Sequence, residues 1–116
     1  MNVRDIHNIL KAQIYCGEEF LDREVHTACG SDMMSDVLAY VKDQSVLLTG
    51  LVNSQVIRTA EMMDMVCIVF VRGKKPDEQM IELAKERSIV MMSTEFRMFT
   101  ACGLLYENGL KGGCNV

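Results

Sequence analysis

Residues 46–78 read VLLTGLVNSQVIRTAEMMDMVCIVFVRGKKPDE: a strand, a turn, a helix, a second strand and a second turn. Val46-Leu47-Leu48 is a short apolar run broken by Thr49-Gly50. Asn53-Ser54 offers a helix cap, and Val56, Ile57, Ala60 and Met63 follow at spacings of three and four. The six apolar residues from Val66 to Val71 show no alternation, as expected of a strand covered on both faces. The stretch is therefore a βαβ unit. It establishes an architecture and a place where a ligand would sit, but no reaction.

The pattern extends in both directions. Val3, Ile6, Ile9 and Leu10 keep helical spacing near the start. Ala12 to Cys16 predicts a brief strand ended by Gly17, and Glu18 to Asp22 a turn. Glu24 to Cys29 predicts a second strand with Val25, Thr27 and Cys29 on one face. Gly30-Ser31-Asp32 reads as a break and a cap. Met33, Met34, Val37, Leu38 and Val41 then form one face of a helix to about Lys42. Beyond the βαβ unit, Pro76-Asp77-Glu78 opens a helix with its acids well placed against the dipole. Ile89 to Met92 predicts a third buried strand. Ser93-Thr94-Glu95 is expected to cap a last helix whose periodic residues are Phe96, Phe99, Thr100, Gly103, Leu104 and Tyr106. From Met33 on, helices alternate with strands. That order means an α/β fold in three layers, a mainly parallel sheet with flanking helices and right-handed crossovers. The two early strands are expected to extend the sheet at an edge or to form a flap. One domain over residues 1–110 and a loose tail over 111–116 follow from this pattern.

Composition narrows the function. With 49% hydrophobic and 24% charged residues, the 116-residue chain can build a core. A net charge of −4, with scattered Lys and Arg, argues against nucleic acid. No apolar run nears the roughly 20 residues of a membrane span. The N-terminus MNVRDIHNIL lacks the apolar core of a signal peptide, so a cytoplasmic protein is expected. Five cysteines at positions 16, 29, 67, 102 and 114, none in a CxxC pair, are read as reduced thiols. Ten methionines and no tryptophan suggest an adaptable core or interface.

In a parallel sheet the carboxyl ends of the strands share one edge, and ligands bind in the crevice outside it. Three segments are expected to meet there: Thr49 to Ser54, Arg72 to Lys75, and Ser93-Thr94. The ligand-binding candidates are Thr49, Gly50, Asn53, Ser54, Arg72, Gly73, Lys74, Lys75, Ser93 and Thr94. They supply hydroxyls, N–H groups at helix starts and three cations, which suit an anion or phosphate. The same residues also read as plain helix caps with solvated lysines. Neither GxGxxG nor a Walker sequence is present. His26 and Cys29 stand three apart, so in a strand they point to opposite faces and do not converge on a metal ion. Cys29, ahead of a helix start, is the candidate for an activated thiol. Arg58 and Glu61 read as an exposed pair on the central helix. No catalytic motif and no metal site is read from the chain, and nothing in it names a cofactor.

The stretches ACGSDMMSDVLAYV and VLLTGLVNSQVIRTAEMMDMVCIVFVRGKKPDEQMIELAKERSIVMMST together resemble the DRTGG domain family over roughly residues 1–110. That family is similar to the N-terminal domain of bacterial HPr kinase/phosphorylase. It also occurs between CBS domains of some inorganic pyrophosphatases and in long phosphate acetyltransferases. The resemblance implies a regulatory or dimerising domain without catalysis of its own. The family has Gly-Asp-Arg after one strand and Thr-Gly-Gly after the next. Here those places read Gly50-Leu51-Val52 and Val71-Arg72-Gly73, so Gly50 and Gly73 carry over and any role of the Asp-Arg pair does not. LTGLVN, VIRTAEM, VRGKKPDE and FTACGLLYENGL look more like a stand-alone subgroup, found beside HPr-kinase-like and iron-hydrogenase proteins.

The resulting expectation is a non-catalytic regulatory or ligand-sensing module. It would be a homodimer that binds a small anion or nucleotide at the strand-end crevice and acts through a protein partner. The alternatives are a structural adaptor for HPr-kinase-like or hydrogenase-related machinery, and a cysteine-based redox sensor.

Overall fold

The computed structural model describes residues 1–40 and 44–112. The expected end of the second helix near Lys42, and Cys114, lie outside these residues. One five-stranded sheet forms the middle layer. Its strands are β1 (Gln13–Cys16), β2 (Thr27–Gly30), β3 (Ser45–Thr49), β4 (Cys67–Phe70) and β5 (Val90–Ser93), in the spatial order β1-β5-β4-β3-β2. β2 to β5 are parallel and sequential, and β1 runs antiparallel beside β5. The two early strands thus take opposite edges of one sheet.

The helices are α1 (Val3–Leu10), α2 (Met34–Tyr40), α3 (Ser54–Met62), α4 (Glu78–Glu86) and α5 (Met98–Glu107). Three like-handed crossovers between sequential neighbours put α2, α3 and α4 on one face. There Met34, Val37, Val56, Ile57, Ala60, Met80 and Ala84 pack on Leu47, Ile68, Phe70 and Met91. α1 and α5 cover the other face, where Val3, Ile6, Leu10, Ala101 and Leu105 meet Val46, Leu48, Cys67, Val69, Val90 and Met92. Every residue of β3, β4 and β5 is buried, which is why those strands read as unbroken apolar runs.

Local chemistry sets the ends. Asn2 and Asp5 form a reciprocal capping box on α1. Asn53 accepts from the Gln55 N–H to cap α3, and Asp77 accepts from Met80 to cap α4. Gly17 turns the chain out of β1 at φ 91°, and a Cβ there would stand 2.8 Å from Val90 Cα.

Three expectations are corrected. Val25 does not share a face with Cys29: it precedes the strand and lies in the α1/α5 core with Ala28, whereas Cys29 packs on the opposite core. Ser93-Thr94-Glu95 does not cap α5. Thr94 is buried, and its hydroxyl donates to Leu10 O at 2.7 Å, tying α1 to the strand end; the residue at the α5 N-cap is Arg97, with no side-chain cap. The inward face of α5 is Ala101 and Leu105, flanked by Met98, Cys102 and Leu104, while Phe99 and Tyr106 face outward. With apolar residues on both sides of α5, periodicity alone did not say which side faced the sheet.

Phe70 is the largest fully buried side chain. Phe70→Ala is expected to cost about 3–5 kcal/mol in urea unfolding. Met62→Ala, at a 71% exposed position, should stay within about 0.5 kcal/mol.

Candidate functional site

The loops after β2, β3, β4 and β5 lie side by side at the carboxyl edge of the sheet, because all four strands point the same way. They are laced together. Ser31 N–H donates to Leu48 O at 3.0 Å, and Val71 N–H donates to Thr49 O at 3.0 Å. Arg72 N–H donates to Phe96 O at 2.8 Å and Gly73 N–H to Thr94 O at 2.9 Å. Asp32 joins the first two loops: its carboxylate accepts from Thr49 Oγ1 at 3.0 Å and from Gly50 N–H at 2.6 Å. In the sequence Gly30-Ser31-Asp32 reads as a break and a helix cap; the reach of Asp32 to Gly50 depends on β2 lying beside β3.

The candidate residues divide by environment. Thr49, Ser93 and Thr94 are buried, with their hydroxyls engaged inside the protein. Thr49 donates to Asp32 and accepts from Leu51 N–H, Ser93 shares a hydrogen bond with Tyr15, and Thr94 holds Leu10. Asn53 caps α3. Ser54 lines a groove of about 520 Å³ between α3 and α4, with Arg58 and the acids Glu78, Glu82 and Glu86. Glu61 pairs with Arg87 at 2.6 Å rather than with Arg58.

Arg72, Lys74 and Lys75 are exposed, and among the described residues none of them is in an ion pair. Arg72 adopts φ 59°, a left-handed conformation that an L residue enters at a cost and glycine enters freely. Its guanidinium lies on Gly50, where a Cβ would come within 2.5 Å of a terminal nitrogen. Gly73, at φ 68°, lets the Glu95 carboxylate pack as closely on the next residue. Where the family motif places an Asp-Arg pair, Leu51 and Val52 instead pack on the α2/α3/α4 core. An arginine still stands beside Gly50, delivered by the neighbouring loop. The arrangement offers an exposed guanidinium seated on Gly50, with the exposed Lys74 and Lys75 following in the same loop and the Glu95 carboxylate on Gly73; a guanidinium so placed is suited to holding an anion.

The cysteines do not look activated. Burial pushes the Cys29 thiol up from its ordinary value, with smaller contributions from Cys102 and Asp36, and burial raises Cys102 as well. Cys29 lies inside β2, not at the start of α2, so no helix dipole favours its thiolate. His26 is exposed. Among the described residues no group of three or more His, Cys, Asp or Glu could hold a metal ion. Among the described residues no helix is long and apolar enough to cross a membrane.

No curated protein matches the chain. Among solved structures it is similar to the CBS and DRTGG domains of the regulatory region of a Clostridium perfringens pyrophosphatase, complexed with its activator diadenosine tetraphosphate. The TM-score is 0.73 at 20% sequence identity, over 90% of this chain and 45% of that one, so the chain spans about half of the matched structure. At that identity the likeness shows the fold. The model of the DRTGG domain matches residues 5–107, which include all five strands, α2 to α5 and α1 from Asp5 on, and the chain therefore belongs to the DRTGG domain family.

Proposed function

We propose that the protein is a non-catalytic regulatory module, in the cytoplasm, that senses a small anion or nucleotide at the carboxyl edge of its sheet. It works as a homodimer and passes the signal to a protein partner. The observation that carries this reading is the guanidinium of Arg72, in no ion pair among the described residues and seated on Gly50, with the exposed Lys74 and Lys75 next in the same loop. Arg72 and the two lysines make the charged contacts. Gly50 and Gly73 let side chains and ligand approach the backbone. Thr49, Asn53, Ser93 and Thr94 hold the loops in place, and Ser54 borders the site at the start of α3. Asp32 occupies the Gly50 N–H, so the anion lies over the guanidinium and not in the main-chain turn.

A dinucleotide polyphosphate as the activator of the pyrophosphatase regulatory region supports a phosphorylated ligand. That region contains CBS domains as well, so the ligand class comes to this chain as a proposal. The absence of thiolate-favouring surroundings at Cys29 and Cys102 weighs against a redox sensor.

Thermal unfolding with diadenosine tetraphosphate, ATP, ADP and inorganic phosphate tests the reading. A ligand at a hundredfold excess over its Kd stabilises by about 2.7 kcal/mol, which raises the Tm of a domain this size by roughly 10 °C. No shift with any of the four would sink the proposal. Lys74→Gln with Lys75→Gln should weaken binding and flatten its salt dependence.

Arg72→Gly separates binding from folding. It relieves about 1 kcal/mol of left-handed strain and adds a similar unfolded-state entropy cost of about 0.4–1 kcal/mol. Stability by urea titration should therefore stay within about 1 kcal/mol of the parent while the ligand-induced Tm shift is lost. In alkylation at mildly alkaline pH, Cys29 and Cys102 should react more slowly in the folded protein than in denaturant. Faster reaction of either would revive the thiol reading.

A further inference from the structure

Opposite charges approach the loop after β3 from its two sides. From the β2 loop, Asp32 sets Oδ1 on the Gly50 N–H at 2.6 Å and on the Thr49 hydroxyl at 3.0 Å. From the β4 loop, the Arg72 guanidinium lies against Gly50, a terminal nitrogen 2.5 Å from where a Cβ would stand. Backbone geometry at Gly50 therefore keeps the two charged groups within about 8 Å of each other. Both are exposed, and among the described residues they form no ion pair. Neither Asp32 Oδ2 nor the guanidinium has a hydrogen bond to a described residue.

A phosphate held on that guanidinium faces the Asp32 carboxylate. The Glu95 carboxylate, packed on Gly73, adds a second negative charge to the same edge. Set against Arg72, Lys74 and Lys75, the two acids leave the loops only weakly positive, which is too little to hold a polyphosphate by charge alone. A hard divalent cation removes the conflict. Magnesium is commonly held by one or two carboxylates together with the phosphates of the ligand, and needs no all-protein cage. The gap has the length for it. Two Mg–O bonds of about 2.1 Å and one guanidinium–oxygen hydrogen bond of about 2.8 Å, taken in series, span up to about 7 Å.

We infer that the site takes a nucleoside polyphosphate as its magnesium complex, with Asp32 Oδ2 ligating the ion and one phosphate oxygen shared between the ion and Arg72. This rests on the ligand reading above and names the form in which that ligand binds. Asp32 suits the part because two donors fix its other oxygen, so the free one is held in place. Water fills the remaining positions around the ion.

The test is calorimetric titration of the full chain with ATP, once with magnesium in excess and once with EDTA. The wild type should bind ATP about tenfold more tightly with magnesium. Asp32→Asn keeps an oxygen that accepts from Thr49 and Gly50, so it should fold normally by circular dichroism and bind ATP equally in both conditions. Magnesium lowers the charge of ATP wherever the nucleotide binds, and the variant separates an ion held by the protein from that general effect. A second reading needs no variant: manganese with ATP should broaden the amide NMR signals of Asp32 and Gly50 before those of other residues. Equal wild-type affinity in magnesium and EDTA, a full magnesium gain in folded Asp32→Asn, or broadening centred elsewhere would each overturn the inference. ATP binding that persists in those cases leaves the ligand site standing without its ion, whereas no binding in either condition removes both.

Discussion

Three parallel strands with both faces dry, β3 to β5, impose the constraint on which the rest of this protein depends. Three helices seal one face and two seal the other, leaving the strand ends as the places where the sheet meets solvent. The carboxyl-end loops must satisfy their own polar groups in a crowded row. They do so by bonding to one another: Asp32 to Thr49 and Gly50, Arg72 to Phe96, Gly73 to Thr94. Much of what resembles a ligand site in the sequence is this lacing. The hydroxyls of Thr49, Ser93 and Thr94 serve the fold.

What the lacing leaves over is cationic. The β4 loop is held on one side by β3 and on the other by the turn after β5. Its own side chains Arg72, Lys74 and Lys75 are thereby free to face solvent. Arg72 is the informative one. It occupies a left-handed position better suited to glycine, and its guanidinium lies on Gly50, one strand away. Placing a large charged residue at a costly backbone position is the kind of local conflict that accompanies function more often than stability.

α5 shows the opposite relation between local preference and tertiary context. Its charges oppose its dipole and its first turn lacks a side-chain cap, yet the helix runs ten residues. Burial of Ala101 and Leu105 against the sheet outweighs those local costs, as tertiary packing commonly does for short helices.

The sequence by itself determined the layers and the order of elements. Unbroken apolar runs mark doubly covered strands, and helical spacing with Asn53 and Asp77 caps marks the crossovers, because both patterns are set by local geometry and burial. It also determined the family and the edge where the loops after β3, β4 and β5 gather. Tertiary structure decided everything that depends on which strands become neighbours. That β1 and β2 take opposite edges, that Asp32 reaches Gly50, and that Arg72 lies over the same glycine all follow from pairing between distant segments. The side of α5 that meets the sheet was decided there too. Both sides are apolar, so the choice rests on contacts with α1 and β3 that no spacing within the helix encodes.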